Sequence, residues 1–365
     1  MHRRGFLLCL VAMLCTPSAW GHIVYGTQTL LGLVAEADLV VRARVVQISS
    51  VASFSSESGA IERPTVEAEV VEFLKGSLED SRFHFVQHGH GVATFEPGRE
   101  HLLFLVDISR SRELDVLGAG GAQRWVSLQE HDEAYPLDEP GREALLAAAR
   151  AYVDAAAAAN FEARSDAVHA GTLGLLTSGD SRLAASALSD LVGAPNVPLV
   201  TPADRPALEA LLDDPATPIS VCVALLTELE RRGLVDGQVR WTTWLADDAP
   251  TADLVVAIRA AGHDGRPEVR ARMLALLSSE RVEVASASAA ALGRPGDASV
   301  VGPLARALGH PSSRVRHAAV RGLGRIGTPA AIHALEQAGE SHSDPATRRL
   351  ARAEARKRQA GAESP

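Results

Sequence analysis

PTADLVVAIRAAGHDGRPEVRARMLALLSSE (250–280), RVEVASASAAALGRPGDASVVGPLARALGHP (281–311) and SSRVRHAAVRGLGRIGTPAAIHALEQAGESH (312–342) decide the fold of the C-terminal part of this chain. The three stretches align without gaps, giving a period of 31 residues. Apolar or small residues share columns: Ala257, Ser288 and Ala319; Ala261, Leu292 and Leu323; Val269, Val300 and Ala331; Met273, Leu304 and Leu335. One column is glycine throughout, at Gly262, Gly293 and Gly324. It falls where a first helix should end, so a left-handed terminal residue is expected there. A second start signal follows. Asp297 and Thr328 can cap free N–H groups, and Pro267 and Pro329 suit a first helical position. Each unit therefore reads as helix, Gly turn, helix. Neither helix can bury its apolar stripe alone, so successive units must stack.

The unit SSRVRHAAVRGLGRIGTPAAIHALEQA (312–338) resembles the HEAT-like repeat first described in phycobilisome lyases. The match is good over 281–342, fair over 250–280 and poor before that. The resemblance implies an α-helical solenoid with an extended binding surface. It does not imply lyase chemistry, because no bilin-binding residue can be carried over and a repeat fold says little about activity.

Working outward, residues 343–365 read as a basic C-terminal cap, with Arg348, Arg349, Arg352, Arg356, Lys357 and Arg358, and Leu350 to dock it. Arg314, Arg316, Arg321 and Arg325 lie on the first helix of the last repeat. They are either a solvated face or a partner-binding surface for an acidic partner. Towards the N-terminus, 166–249 suggests degenerate helical repeats, with runs at roughly 163–177, 181–193, 203–213, 218–232 and 237–246 separated by Pro-containing turns. Residues 136–165 form a helical linker, in which Pro140 is expected at a first helical position.

The pattern changes to period two over 22–135. A short helix is expected within Tyr25–Asp38. Strands follow at Leu39–Ile48, Thr65–Leu74, Arg82–Val86, His101–Ile108, Glu113–Leu117 and Arg124–Leu128. In TVEAEVVEFL, Val66, Ala68 and Val70 face one way and Glu67, Glu69 and Glu72 mostly the other. Clusters of Gly, Pro and Ser at Ser49–Pro64, Gly76–Ser81, Gly89–Gly98 and Gly118–Gly121 read as turns. The whole is predicted to be a multidomain α+β chain: a small antiparallel β-barrel or sandwich, then an α-helical solenoid of HEAT-type hairpins.

The order EADLVVRARVVQI, VEAEVVEFLKG, FEPGREHLLFLVD resembles the bacterial secreted domain similar to netrin and metalloproteinase-inhibitor modules, which are five-stranded OB-type barrels. Those motifs are framework motifs and imply a barrel, not a ligand. The inhibitor branch depends on a metal-chelating N-terminal Cys, which this chain lacks, so inhibition of a secreted protease stands only as an alternative.

Residues 1–21 (MHRRGFLLCLVAMLCTPSAWG) carry Arg3 and Arg4 before an apolar run from Phe6 to Cys15, then Ala19-Trp20-Gly21. That is the pattern of a secretory signal peptide, implying export to the periplasm or beyond. HRRGFLL also resembles the twin-arginine export signal. Without the leader only Cys222 remains, on a helix-like stretch with neither a His nor an electropositive setting beside it. It reads as a small buried apolar residue, not a nucleophile.

Cleavage after Gly21 would leave His22 with an α-amine beside its imidazole, two nitrogens suited to Cu(II). With His84, His88 and His90 it makes a candidate copper or zinc site, weighed against the plainer reading of HGHG as a solvated Gly-rich turn. GAGG (Gly118–Gly121) lacks the strand–loop–helix setting of a phosphate loop. No GxSxG, HExxH, CxxC or Walker loop occurs. A formal charge of −9 disfavours nucleic acid and anionic lipid as partners. The reading with most support is a non-catalytic exported scaffold that engages a protein partner through the solenoid.

Overall fold

Alternation in Leu39–Val45 and an unbroken apolar run in Leu102–Leu105 place the first strands in two different environments, and the computed structural model shows both. It describes residues 29–56, 59–87, 95–107, 125–129, 135–193 and 199–362. Helix α1 (Leu30–Glu36) leads into β1 (Leu39–Ser56), β2 (Gly59–Lys75), β3 (Arg82–Gln87), β4 (Glu100–Asp107) and β5 (Trp125–Ser127). These five strands close into a barrel in the order β1-β2-β3-β5-β4. Closure excludes the sandwich alternative. The barrel is also not wholly antiparallel, since β3 and β5 pair in parallel through Phe85↔Trp125 to Gln87↔Ser127. The expected strand Glu113–Leu117 lies outside the described residues.

Inside the barrel, Leu39, Val41, Ala43 and Val45 of β1 meet Val66 and Ala68 of β2, Phe83 and Phe85 of β3, and Leu103 and Leu105 of β4. The alternate residues Val40, Leu102 and Phe104 point outward but are equally buried, because helices cover that side. A strand buried on both faces loses its polar alternation, which is why HLLFLV reads as continuous apolar sequence.

The Ser49–Pro64 segment is not a turn. β1 and β2 run on as a ribbon, with Val51↔Pro64 through Ser56↔Gly59 in register. Serine, glycine and proline disfavour a strand interior, yet the antiparallel ladder runs on through them, with a register shift between Ser49 and Val51.

Helix α1 is fastened at both ends. The Thr29 side chain accepts from Gly32 N at 3.1 Å. At the other end Lys75 Nζ donates to Val34 O at 2.9 Å and Ala37 O at 2.5 Å. One of the chain's two lysines thus satisfies carbonyls that a helix end leaves open. The next residue, Gly76, has φ +75°, and a Cβ there would lie 2.8 Å from Asp38 O. The LKG of the sequence is therefore a corner clamp. Lys75→Met should cost about 2 kcal/mol, from carbonyls left without a charged donor, and Lys75→Arg should not restore it because a planar fork cannot converge on them. Urea midpoints equal to wild type for Lys75→Met would refute this role.

The helical part continues with α2 (Arg142–Ala157), α3 (Phe161–Leu176), α4 (Ser181–Gly193), a 3-10 turn at Pro202–Asp204, α5 (Arg205–Asp213), α6 (Ile219–Arg231) and α7 (Gln238–Trp244). Pro140 does not open α2. The helix starts at Arg142, after Gly141 at φ 86°. The three repeats supply α8 (Thr251–Ala261) with α9 (Pro267–Leu276), α10 (Val282–Leu292) with α11 (Val301–Ala307), and α12 (Ser313–Ile326) with α13 (Pro329–Ser341). Helix α14 (Pro345–Ala362) packs against α12 and α13.

Helices α4, α6, α8, α10, α12 and α14 form one row, each packed on the next, and α5, α7, α9, α11 and α13 pack against that row. All twelve residues of the four apolar columns are buried, none more than 2% exposed. One apolar core continues from Leu30 through the outward barrel residues to Ala355. Pro267 and Pro329 occupy first-turn positions, and Thr328 accepts from Ala331 N at 3.3 Å.

The glycine column does something other than turn the chain. Gly262 (φ −57°) and Gly293 (φ −73°) are not left-handed, and Gly324 lies inside α12. The left-handed residue that ends α12 is Gly327, at φ 65°. The column marks places where helices touch. A Cβ on Gly293 would lie 2.5 Å from Gly322 Cα, and one on Gly262 would lie 3.2 Å from the Ala291 Cβ. Backbones at that separation leave no room for a side chain.

Candidate functional site

An array of hairpins offers function through its surface, so the question is which side chains the packing leaves free. Arginine does much of the internal work. Arg266 joins Glu230 at 2.6 Å and Asp236 at 2.8 Å. Arg281 donates to Ala249 O at 2.7 Å, and Arg294 to Asp264 O at 2.8 Å. Each guanidinium spans about one repeat length and ties a turn to its predecessor, using a fork suited to two acceptors at once. Turn N–H groups are satisfied by a recurrent acceptor: Ser279 Oγ for Arg281 N, His310 Nδ1 for Ser312 N, and His342 Nδ1 for Asp344 N.

The four arginines singled out in the last repeat divide along this line. Arg316 is engaged internally, donating to His310 O at 2.9 Å, Pro311 O at 2.7 Å and Asp344 Oδ2 at 3.0 Å. Hydrogen bonds from the Thr347 hydroxyl and from Arg316 hold the Asp344 carboxyl well below the usual carboxylate range. Arg325 donates to Gly293 O at 3.0 Å and also reaches Ala290 O. Arg314 makes an exposed pair with Glu283 at 3.2 Å, which contributes little. Arg321 is exposed and faces solvent. The sequence signal for the internal arginines was available: each lies close to one repeat length from an acidic residue or a turn carbonyl.

The histidine candidates are not brought together. His84 is an exposed residue of β3 in register with Glu67. His22, His88 and His90 lie outside the described residues. Among the described residues no group of three His, Cys, Asp or Glu side chains has metal-binding geometry. His169 and Asp204 pair at 2.7 Å, but Asp204 also accepts from Thr201 N at 2.6 Å, so the pair caps the 3-10 turn. Burial works against the charge on Asp204, yet the bonds from Thr201 and His169 hold its pKa low.

Cys222 is buried, and desolvation pushes its thiol up to about 11. A thiolate is the reactive form. A thiol reagent should therefore leave Cys222 of the folded chain unlabelled at pH 8 and label it in urea, with the labelled peptide identified by mass. Prompt native labelling of Cys222 would contradict the burial.

Between α9 and α11 lies an open groove of about 510 Å³, lined by Leu274, Leu277, Pro303, Arg306, Gly309 and His310. Leu274, Leu277 and Pro303 share its lining with the polar side chains of Ser278, Arg306 and His310. No helix among the described residues is long and apolar enough to cross a membrane.

A family model described as HEAT repeats matches residues 273–355. Two solved structures are similar in part. Human deoxyhypusine hydroxylase in complex with glycerol is 18% identical with a TM-score of 0.29, over 58% of this chain and 84% of that one. A computationally designed armadillo repeat protein for modular peptide recognition is 17% identical with a TM-score of 0.31, over 55% and 94%. No curated protein matches the chain. Residues 273–355 are matched as HEAT repeats, and they lie in a C-terminal array of helical repeats that follows a small five-stranded barrel.

Proposed function

We propose that this chain is an exported, non-catalytic scaffold whose HEAT solenoid holds a protein partner. The observation that carries the reading is the stacked row α4 to α14. Its apolar columns are consumed internally, while the outward residues of α9, α11 and α13 are left as a long, groove-bearing surface. The continuous core fastens the barrel to the first helices, so the barrel serves as the fixed end of the array. The closed strand order β1-β2-β3-β5-β4 supports an OB-type, netrin-like assignment for that barrel. The leader supports periplasmic or secreted localisation.

The test places a photo-crosslinking residue at Ala271, Ala275 or Gln337, all exposed on α9 and α13. A single protein crosslinked from these positions, identified and then shown to bind the purified chain, supports the reading. Failure to crosslink from all three, with efficient photoactivation, sinks it. N-terminal sequencing of the protein recovered from cells tests export; an N-terminus at Met1 ends that part.

A further inference from the structure

The last helix buries one stripe and exposes another, and the exposed stripe carries a single sign of charge. Thr347, Ala351 and Ala355 are buried, and Leu350 packs against the core. The outward stripe, at helical spacing, is Arg349, Arg352, Ala353, Arg356, Lys357 and Ala360. The aliphatic part of Arg352 lies over Gly339 of α13, where a Cβ would approach Arg352 Cγ to 2.7 Å. Arg349, Arg352, Arg356 and Lys357 form no hydrogen bond or ion pair among the described residues. Arg321 is exposed on α12, the helix on which α14 stacks.

A solvent-facing helix stripe needs to be polar but not of one sign. Like charges at i,i+3 and i,i+4, such as Arg349 with Arg352 and Arg352 with Arg356, repel. The helix dipole accounts for cations in the last turns only. Arg349 stands near the N-terminus, where that dipole disfavours it. The chain is −9 overall while α14 contains six cations and one carboxylate, so everything else sums to −14.

We propose that the outward face of α14 docks a short acidic segment of the partner protein. This rests on the scaffold reading and names where and by what chemistry the partner is held. Guanidinium forks recognise carboxylates in pairs. The face presents no large apolar side chain for insertion into a bilayer. Helix α14 is about 27 Å long. A membrane or a duplex extends well beyond that and meets the acidic remainder of the chain, whereas a peptide covers the cationic stripe alone.

The test uses the full chain and a fluorescein-labelled decaglutamate peptide at about 50 mM salt, where screening is weak. The quadruple variant Arg349→Gln, Arg352→Gln, Arg356→Gln, Lys357→Gln is compared with a double control, Arg259→Gln, Arg272→Gln, at exposed arginines elsewhere. Anisotropy should show binding by wild type and control, weakened about tenfold or more in the quadruple variant. Far-UV circular dichroism should be the same for all three. Undiminished binding by the quadruple variant, absence of binding by wild type, or tighter binding of phosphatidylglycerol vesicles or duplex DNA overturns the proposal. If the crosslinked partner is captured equally well by the quadruple variant, the docking site is wrong and the scaffold reading survives. If wild type crosslinks no partner, the scaffold reading falls, and the peptide measurement still decides the site.

Discussion

Gly293→Val should lower stability by about 3 kcal/mol, the upper end of what forced overpacking costs in a core. The cause is the approach of α10 to α12. The new Cβ would lie 2.5 Å from Gly322 Cα and 2.8 Å from Gly322 O, and backbone cannot swing aside as a side-chain tip can. Gly322 is equally constrained, with its own would-be Cβ 2.8 Å from Ala289 O. Gly324→Val provides the contrast. There the nearest atom is Glu354 Oε2 at 2.7 Å, the far end of a flexible chain, and the site is mid-helix, where glycine is itself unfavourable by about 1 kcal/mol. A turn role for the column would make both substitutions costly for the same reason. A contact role makes Gly293→Val severe and Gly324→Val mild. Urea unfolding followed by circular dichroism decides. Equal midpoints for the two variants would refute the contact account.

That pair of glycines also shows what could be read from sequence and what could not. A recurring glycine announces that a side chain is forbidden; it does not say whether φ or a neighbouring backbone forbids it. The apolar columns were legible because burial in a stacked array imposes a period on the chain itself. The strand alternation at Val66, Ala68 and Val70 was legible for the same reason. The long ribbon through Ser49–Pro64 was not, because a ladder is built from backbone groups and leaves little mark on residue type. Arg316 and Arg325 looked like free surface charge while residue type was read alone; their spacing of about one repeat from Asp344 and from the Gly293 carbonyl is the signal that marks them as internal. The cationic stripe of α14 was visible as a cluster, but its separation into inward and outward residues needed the packing against α13.

Asp190→Asn should stabilise the protein at neutral pH by about 2–3 kcal/mol and remove part of its pH dependence. Asp190 sits on α4 where α1 docks, and Leu30 N donates to Ser186 Oγ at 2.9 Å one turn away. The carboxyl receives a hydrogen bond from Thr29, but its Oδ2 is shut off from solvent without a partner. Burial outweighs that one bond and pushes the pKa up to about 6, from 3.8. A raised carboxyl pKa means the folded state holds its proton more tightly than the unfolded state. The stabilisation is therefore complete below about 3.8 and is lost as pH rises towards about 6. Asparagine keeps an oxygen for the Thr29 hydroxyl and carries no charge at any pH. Other carboxylates, Asp344 and Glu100 among them, have lowered pKa values and pull stability the opposite way, so the informative quantity is the difference between variant and wild type. That difference, from urea midpoints at pH 4, 5, 6 and 7.5, should be small at pH 4 and grow to its full size above pH 6. A constant difference across the series would mean that Asp190 is ionised throughout, and that the joint between α1 and α4 is wetter than its packing implies.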